Sequence, residues 1–446
     1  MSLPDFGKPA LRWNDYLVAA LSLVFLTLAS VSHTIALRYT ILVLLLGFAA
    51  LERHSVQRLW REQQAPLLAV WGFLAYALLH TFLLSHWFNR SIGEFYNQLL
   101  VGGLWFTAGL ILFRRWRGLS VADMVILAGV MLASVELAHG LVSLVTTGVW
   151  PFAETFTTDT KLEFTFFMNF VLGFIAAVFC FGNAGGPRFS RLPKWLLILG
   201  ALIILLASVR AGARNGMIGM VYLVLSIFII YTVFEGFRFG WKRTLTIASL
   251  LLVGIVGVIA FAIHQDSRNK AFFESVDAGW HYQRTEAWLR IAPLPNMSNG
   301  QPVDGSAYER VAWIHSGLDL IRDNPLGYGF ARNTFGLALQ YKGYHPNTVA
   351  HSHSGFIDFG IGLGLIGVLL WAALCLVFIY RGFRAFRSRK DALGLALMLV
   401  TAGYLGRMMM ESINKDHMLH IFLFTAGAVL AELALRGEAS EVKRDA

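Results

Sequence analysis

The chain has 446 residues, 56% of them hydrophobic and only 14% charged, with a mean hydropathy of +0.59 and a formal net charge of +10. A soluble domain carries roughly a quarter charged residues, so that class is excluded, and repeated apolar runs of about 17–25 residues define an all-α polytopic membrane protein. The spans have to be helices, because lipid satisfies backbone groups only inside a helix or a closed barrel, and the short alternating segments of a barrel are absent.

Twelve spans are predicted in chain order: 14–32, 37–52, 66–86, 96–113, 121–146, 162–182, 195–209, 216–235, 244–264, 354–380, 392–410 and 418–435. The opening stretch MSLPDFGKPALRWNDY leads into an uncleaved first span rather than a signal peptide, since many spans follow. Basic residues of short loops stay in the cytoplasm. With the N-terminus inside, every cytoplasmic loop carries Lys or Arg, among them Arg53, Arg58 and Arg61, then Arg114, Arg115 and Arg117. Both termini are then cytoplasmic, and the net charge is mostly topology, with no nucleic-acid partner needed. Cys180 and Cys375 fall inside spans and read as small apolar residues, with neither a disulfide nor a metal.

Three parts follow: 1–264 with spans one to nine, 265–353 as one large polar loop on the outer face, and 354–446 with the last three spans and a cytoplasmic tail. No extramembrane domain with a core of its own is expected. The loop holds Pro293, Pro295, Pro302, Pro325 and Pro346, yet it mixes aromatics with helical pieces such as RVAWIHSGLDLI. Loops of such length are usually functional or disordered, and this composition favours an ordered, functional one.

The exceptions to the charge rule point to chemistry. Arg210 and Arg214, in SVRAGARNGMIG, sit on the outer side by this topology. They read either as a local counter-example or as an anion site, because an arginine fork beside a helix N-terminus suits a phosphate. Arg310 opens an amphipathic helix with Ala312, Ile314, Leu318 and Leu320, which should end at Asn324-Pro325; taken alone, Arg310 reads as a solvated charge. Arg284, Arg290, Arg322 and Arg332 share the loop. The outer carboxylates Asp159, Glu163, Glu274, Asp277 and Asp304 are scattered, with no glycosidase-like pair. Within the spans, Glu136, Asp358 and Arg407 are either pathway groups or buried partners.

In HPNTVAHSHSGFIDFGIGLGLIG, His345, His351 and His353 crowd the start of span ten. They could hold zinc, though no cysteine stands near. His353 could be an interfacial structural residue, or the general base for which a neutral imidazole is suited. Gly360 and Gly364 form a small-residue pair of the kind that packs spans closely. A transporter is the reading from a different class, with polar groups at mid-membrane and broken helices. Here the suspicious groups gather at the outer rim instead.

The pattern resembles the O-antigen ligase family, within the wider group of O-antigen ligases, O-antigen polymerases and protein O-oligosaccharyltransferases. His353-Ser354, nine residues, then Gly364-Leu-Ile-Gly367 fits the family motif; starting from His351 would put Leu365 where a small residue belongs. Arg214 resembles the family arginine at the start of a mid-chain span better than Arg210 does, and Arg310 to Gly329 resembles the outer-loop arginine block. An acid often present two residues before the first motif glycine is replaced here by Gly362. The resemblance implies a GT-C-like glycosyltransferase of the bacterial inner membrane with a periplasmic active site and no cofactor. It implies an undecaprenyl-pyrophosphate-linked glycan as donor and lipid A–core as acceptor in lipopolysaccharide biosynthesis. By the same resemblance, Arg210, Arg214 and Arg310 bind the pyrophosphate without a metal, His353 takes the acceptor proton, and the transfer is inverting. O-antigen polymerase and protein O-oligosaccharyltransferase are the alternatives.

Overall fold

The computed structural model describes residues 13–113, 120–181, 189–212 and 272–445, with isolated positions between 221 and 253 and without the side chains of 53–59, 180–181 and 439–445. Helices dominate, and no strand occurs among the described residues. They are α1 (Trp13–Leu28), α2 (Ile35–Leu51), α3 (Arg53–Leu83), α4 (Phe88–Glu94), a wide π turn (Phe95–Leu100), α5 (Val101–Leu112), α6 (Val121–Thr147), α7 (Lys161–Phe181) and α8 (Lys194–Ala211). After the undescribed stretch come α9 (Phe272–Trp280), α10 (Gly305–Asp323), α11 (Thr334–Tyr341), α12 (Gly355–Arg389), α13 (Ala392–Met408) and α14 (Asp416–Asp445).

Seven described helical segments are long and apolar enough to cross a membrane, and α1, α2 and α13 are shorter apolar helices. The expected spans 216–235 and 244–264 lie outside the described residues. Sequence signals set the helix ends. Ser120, Asp304, Ser354 and Asp391 cap α6, α10, α12 and α13 through side-chain oxygens that accept backbone N–H groups, as such residues do at helix starts. The α10 helix stops at Asp323, directly before Asn324-Pro325, as the proline requires.

Glycines let the bundle close. A Cβ on Gly427 would meet Phe106 of α5, and one on Gly109 would meet the backbone of α14. Gly382 and Gly394 face each other's carbonyls across α12 and α13 in the same way. This is the close approach that small residues permit between spans.

Gly364 does something else. It was expected to pair with Gly360 in helix packing, but it breaks α12 with φ 71° and ψ −179°, a backbone region open in practice to glycine alone. The Pro325–Gly329 segment fills the break. Tyr328 N–H donates to the Ile361 carbonyl at 2.7 Å, Gly329 N–H to Gly362 at 2.9 Å, and Leu365 N–H to Pro325 at 2.9 Å. The Tyr76 hydroxyl donates to the Leu363 carbonyl at 2.7 Å, and His80 Nε2 lies 2.7 Å from the Leu326 carbonyl. Irregular backbone at span depth persists only where protein satisfies it, and here a loop does so.

The 272–353 segment also departs from expectation, because it has a packed core of its own. Trp288, Tyr308, Trp313, Tyr328 and Phe335 are buried together, and the cluster continues into Ile357 and Ile361 of α12. Composition concealed this core because its aromatics are scattered among prolines and charges. Burying a few large rings suffices, since each removes 150–250 Å² from water.

Candidate functional site

The His353 imidazole is placed by the turn that starts α12. Ser354 caps the helix, and Asp358, one turn further on, reaches back to Ser352. Its Oδ1 accepts the Ser352 hydroxyl at 2.7 Å and the Ser352 N–H at 3.0 Å. Gly355 N–H donates to the Glu411 carbonyl at 3.0 Å, tying the turn to the α13–α14 connection. This clasp forces His353 into the left-handed region, φ 57°, which histidine tolerates better than most side chains. Asp358 is thus a buried partner that shapes the turn, which resolves the choice its sequence position left open.

The ring then stacks flat on Trp313, with centroids 5.3 Å apart and planes 10° from parallel, while His351 meets it edge-on at 4.5 Å. Trp313 is fixed by its own N–H, which donates to the Trp288 carbonyl at 2.7 Å. One helical turn before Trp313, on the same side of α10, stands Arg310. The Arg290 guanidinium lies 5.0 Å from the Trp313 ring centre and forks onto Glu309 at 2.7 and 2.8 Å.

Burial, with His351, Arg310, Arg290 and Lys415 adding their fields, pushes the His353 imidazole down to about 3. Burial and Lys415 lower His351 as well, against the pull of Asp358. His353 is therefore neutral over the physiological range, with a lone pair available beside several cations. A group in that state can accept a proton, and an anion would be drawn to the cations around it.

The predicted site residues do not all converge. His353 and Arg310 come together. Arg214 lies outside the described residues. Arg210, expected on the phosphate, is instead committed elsewhere. Its guanidinium pairs with Glu136 at 2.6 Å with both side chains almost wholly buried, and a second nitrogen lies 3.4 Å from His139. The Glu136 carboxylate also accepts the N–H groups of Phe156 and Thr157. The pair fastens the 153–158 loop over α6 and α8, because a buried arginine beside a buried carboxylate is far cheaper than either alone.

Other singled-out charges have structural partners too. Arg407 pairs with Glu411 at 2.9 Å and donates to the Leu162 carbonyl. Glu274 accepts from Ser298, Asp277 lies by His281, Arg322 by Asp319, and Arg332 by Asp416. Arg284 and His345 are exposed. Cys375 is buried. No three ligating side chains converge for a metal among the described residues.

Sequence reasoning missed Trp313, Ser352 and Lys415. The alternation His351-Ser352-His353-Ser354 before a helix carried a signal for the cap and clasp. Nothing local marked Trp313 or Lys415, which reach the site through tertiary folding.

Residues 195–372 match the family model described as O-Antigen ligase. The match runs from the start of α8 through the aromatic segment and past the break at Gly364, so it contains His353, Arg310 and Trp313. No curated protein matches the chain.

Proposed function

From a chain whose residues 195–372 match the family model described as O-Antigen ligase, we propose a lipid-linked glycan transferase. It moves an O-antigen chain from undecaprenyl pyrophosphate to a sugar hydroxyl of lipid A–core, on the periplasmic face of the bacterial inner membrane. The observation that carries this reading is a neutral imidazole, locked by the Ser352–Asp358 clasp and Trp313, within the fields of Arg310, Arg290 and Lys415.

The acceptor hydroxyl attacks the anomeric carbon as its proton passes to His353, general-base catalysis that contributes typically 10²–10⁴-fold. The new glycosidic C–O bond forms as the bond to the pyrophosphate breaks, and the leaving group takes the electron pair, inverting the carbon. Arg310 and Arg214 bind the pyrophosphate and stabilise the charge that grows on it. Arg210 positions the neighbouring backbone through Glu136. The imidazole is a weak base through burial first and then the field of the cations; the bound pyrophosphate, by neutralising that field, removes the second part and raises its basicity when the acceptor is present. The proton then leaves to the pyrophosphate or to water.

The test is a transfer assay with detergent-purified protein, the lipid-linked glycan and lipid A–core, in EDTA and without nucleotide. Glycosylated acceptor in the parent and none with His353→Ala is the expected result. Chain extension on a second lipid-linked glycan, with no product on lipid A–core, would instead make this a polymerase. Product on a Ser or Thr hydroxyl of a protein would make it a protein O-oligosaccharyltransferase.

A further inference from the structure

Next to the His353 rim lies a cavity of about 330 Å³ that the transfer reading leaves unused. Its size falls within the range of small-molecule sites, roughly 300–1,000 Å³. Its polar walls include Arg38, Glu94, Asn97, Gln98, Arg332 and Asp416. They come from α2, the end of α4, the π turn, the chain before α11 and the start of α14. The π turn matters because its wider spiral brings residues 94, 97, 98 and 101 to one cavity wall, and such turns recur at functional sites.

The frame is rigid. The Gln98 amide closes a reciprocal pair with Asp416: its Nε2 donates to Oδ1 at 3.1 Å while Asp416 N–H donates to its Oε1. Asp416 holds a left-handed backbone, φ 54°, and Arg332 reaches it at 3.4 Å from the mouth. Yet Nε of Arg38 and one carboxylate oxygen of Glu94 are buried without a hydrogen-bond partner. Polar groups left so are costly, and here one is a donor and the other an acceptor.

The charges also decide the ligand class. Two guanidinium groups face two carboxylates, so the site does not favour an anion. Trp105 and Val101 supply an apolar wall. A ligand that both donates and accepts, and that carries a C–H face, is a sugar ring. The Lys415 Nζ lies 3.4 Å from the Arg332 carbonyl, and Gly355, two residues after His353, donates to the Glu411 carbonyl in the same α13–α14 connection, so that connection joins the cavity to the rim. We propose that this cavity is a saccharide subsite, holding one sugar ring of a glycan substrate beside His353. The proposal rests on the glycan-transfer reading, and donor and acceptor could each supply the ring.

Binding of two soluble probes to the full chain in detergent tests it: an oligosaccharide released from the donor and a delipidated core oligosaccharide, followed by saturation-transfer NMR and titration. One probe is expected to bind the parent and His353→Ala alike, and that probe identifies the source. Glu94→Gln and Arg38→Met should weaken it roughly tenfold or more, the scale of a hydrogen bond to a charged group. Asn97 is exposed, so Asn97→Ala keeps the fold, checked by melting, and should weaken binding as well. Absence of binding by both probes, or an unchanged Kd in a folded Asn97→Ala together with Glu94→Gln, would overturn the subsite. No binding, or variants that bind as the parent does, while the parent transfers glycan removes the subsite and leaves the transfer reading. Binding through Glu94 and Asn97 in a parent that transfers to no acceptor does the reverse.

Discussion

The Arg210–Glu136 pair and the His353 rim both set ionisable groups against apolar helices, but on opposite plans. At Arg210 one cation meets one carboxylate, and backbone N–H groups take up the remaining acceptor capacity. At His353 the imidazole is kept neutral while cations gather around it. The first is a buried ion pair that holds a loop, with Nε of Arg210 still lacking a hydrogen-bond partner. At the second the titratable group itself carries no charge, and the nearby Arg290 is paired with Glu309. An ionisable residue among apolar helices is read as functional by default; the comparison shows that the nature of its partner divides structural charges from chemical ones.

The sharpest test replaces the neutral imidazole. His353→Ala should lower glycan transfer by about 10²–10⁴-fold with little loss of melting temperature. His353→Asn, which tolerates the left-handed backbone, should be as inactive, and an active Asn variant would end the base assignment. At the buried pair the cost should fall on stability. Arg210→Met strands a buried Glu136 and should cost about 3–5 kcal/mol, read as early unfolding in a thermal melt. A stable Arg210→Met with normal melting and no transfer would move Arg210 back to the phosphate.

Asp358→Ala leaves the Ser352 hydroxyl and N–H without their acceptor. It should cost about 1–3 kcal/mol and slow transfer, while Asp358→Asn, which keeps an acceptor, should lose less of both. The smallest expected effect is a shift in pH dependence. Because the His353 pKa lies at about 3 in the folded chain, the acid limb of kcat/KM should fall below the ordinary histidine range near 6.5. Arg310→Ala should move that limb upward while lowering the rate. The sign for stability agrees: above about 6.5 the neutral ring costs nothing, and as pH falls from there toward 3 the unfolded chain takes up a proton that the folded chain refuses, so stability declines in that window.

Much of this was legible from residue order. Apolar runs marked the helices because span length is fixed by lipid thickness, and Asn324-Pro325 marked the neighbourhood in which α10 ends, at Asp323. His353 stood out because imidazoles are rare at the edge of an apolar helix. Arg210 and Arg214 looked alike because they lie four residues apart in one link, and only the fold brings Glu136, 74 positions away, to the first of them. Gly364 was misread for a similar reason: small residues at a four-residue spacing describe both a packing face and a helix break, and the loop carbonyl and amides that decide between them lie some way back in the chain.

That break has a consequence for how the protein is made. The Ile361 and Gly362 carbonyls bond to amides of Tyr328 and Gly329, which leave the ribosome well before them. Until the earlier segment returns, the break in α12 presents the Ile361 and Gly362 carbonyls and the Leu365 amide bare to hydrocarbon, which does not accept them. Insertion of this helix and closure of the aromatic segment are therefore a single event, and neither piece can be cut out and studied as an intact part. The loop supplies, from outside the helix, the backbone bonds that the helix lacks.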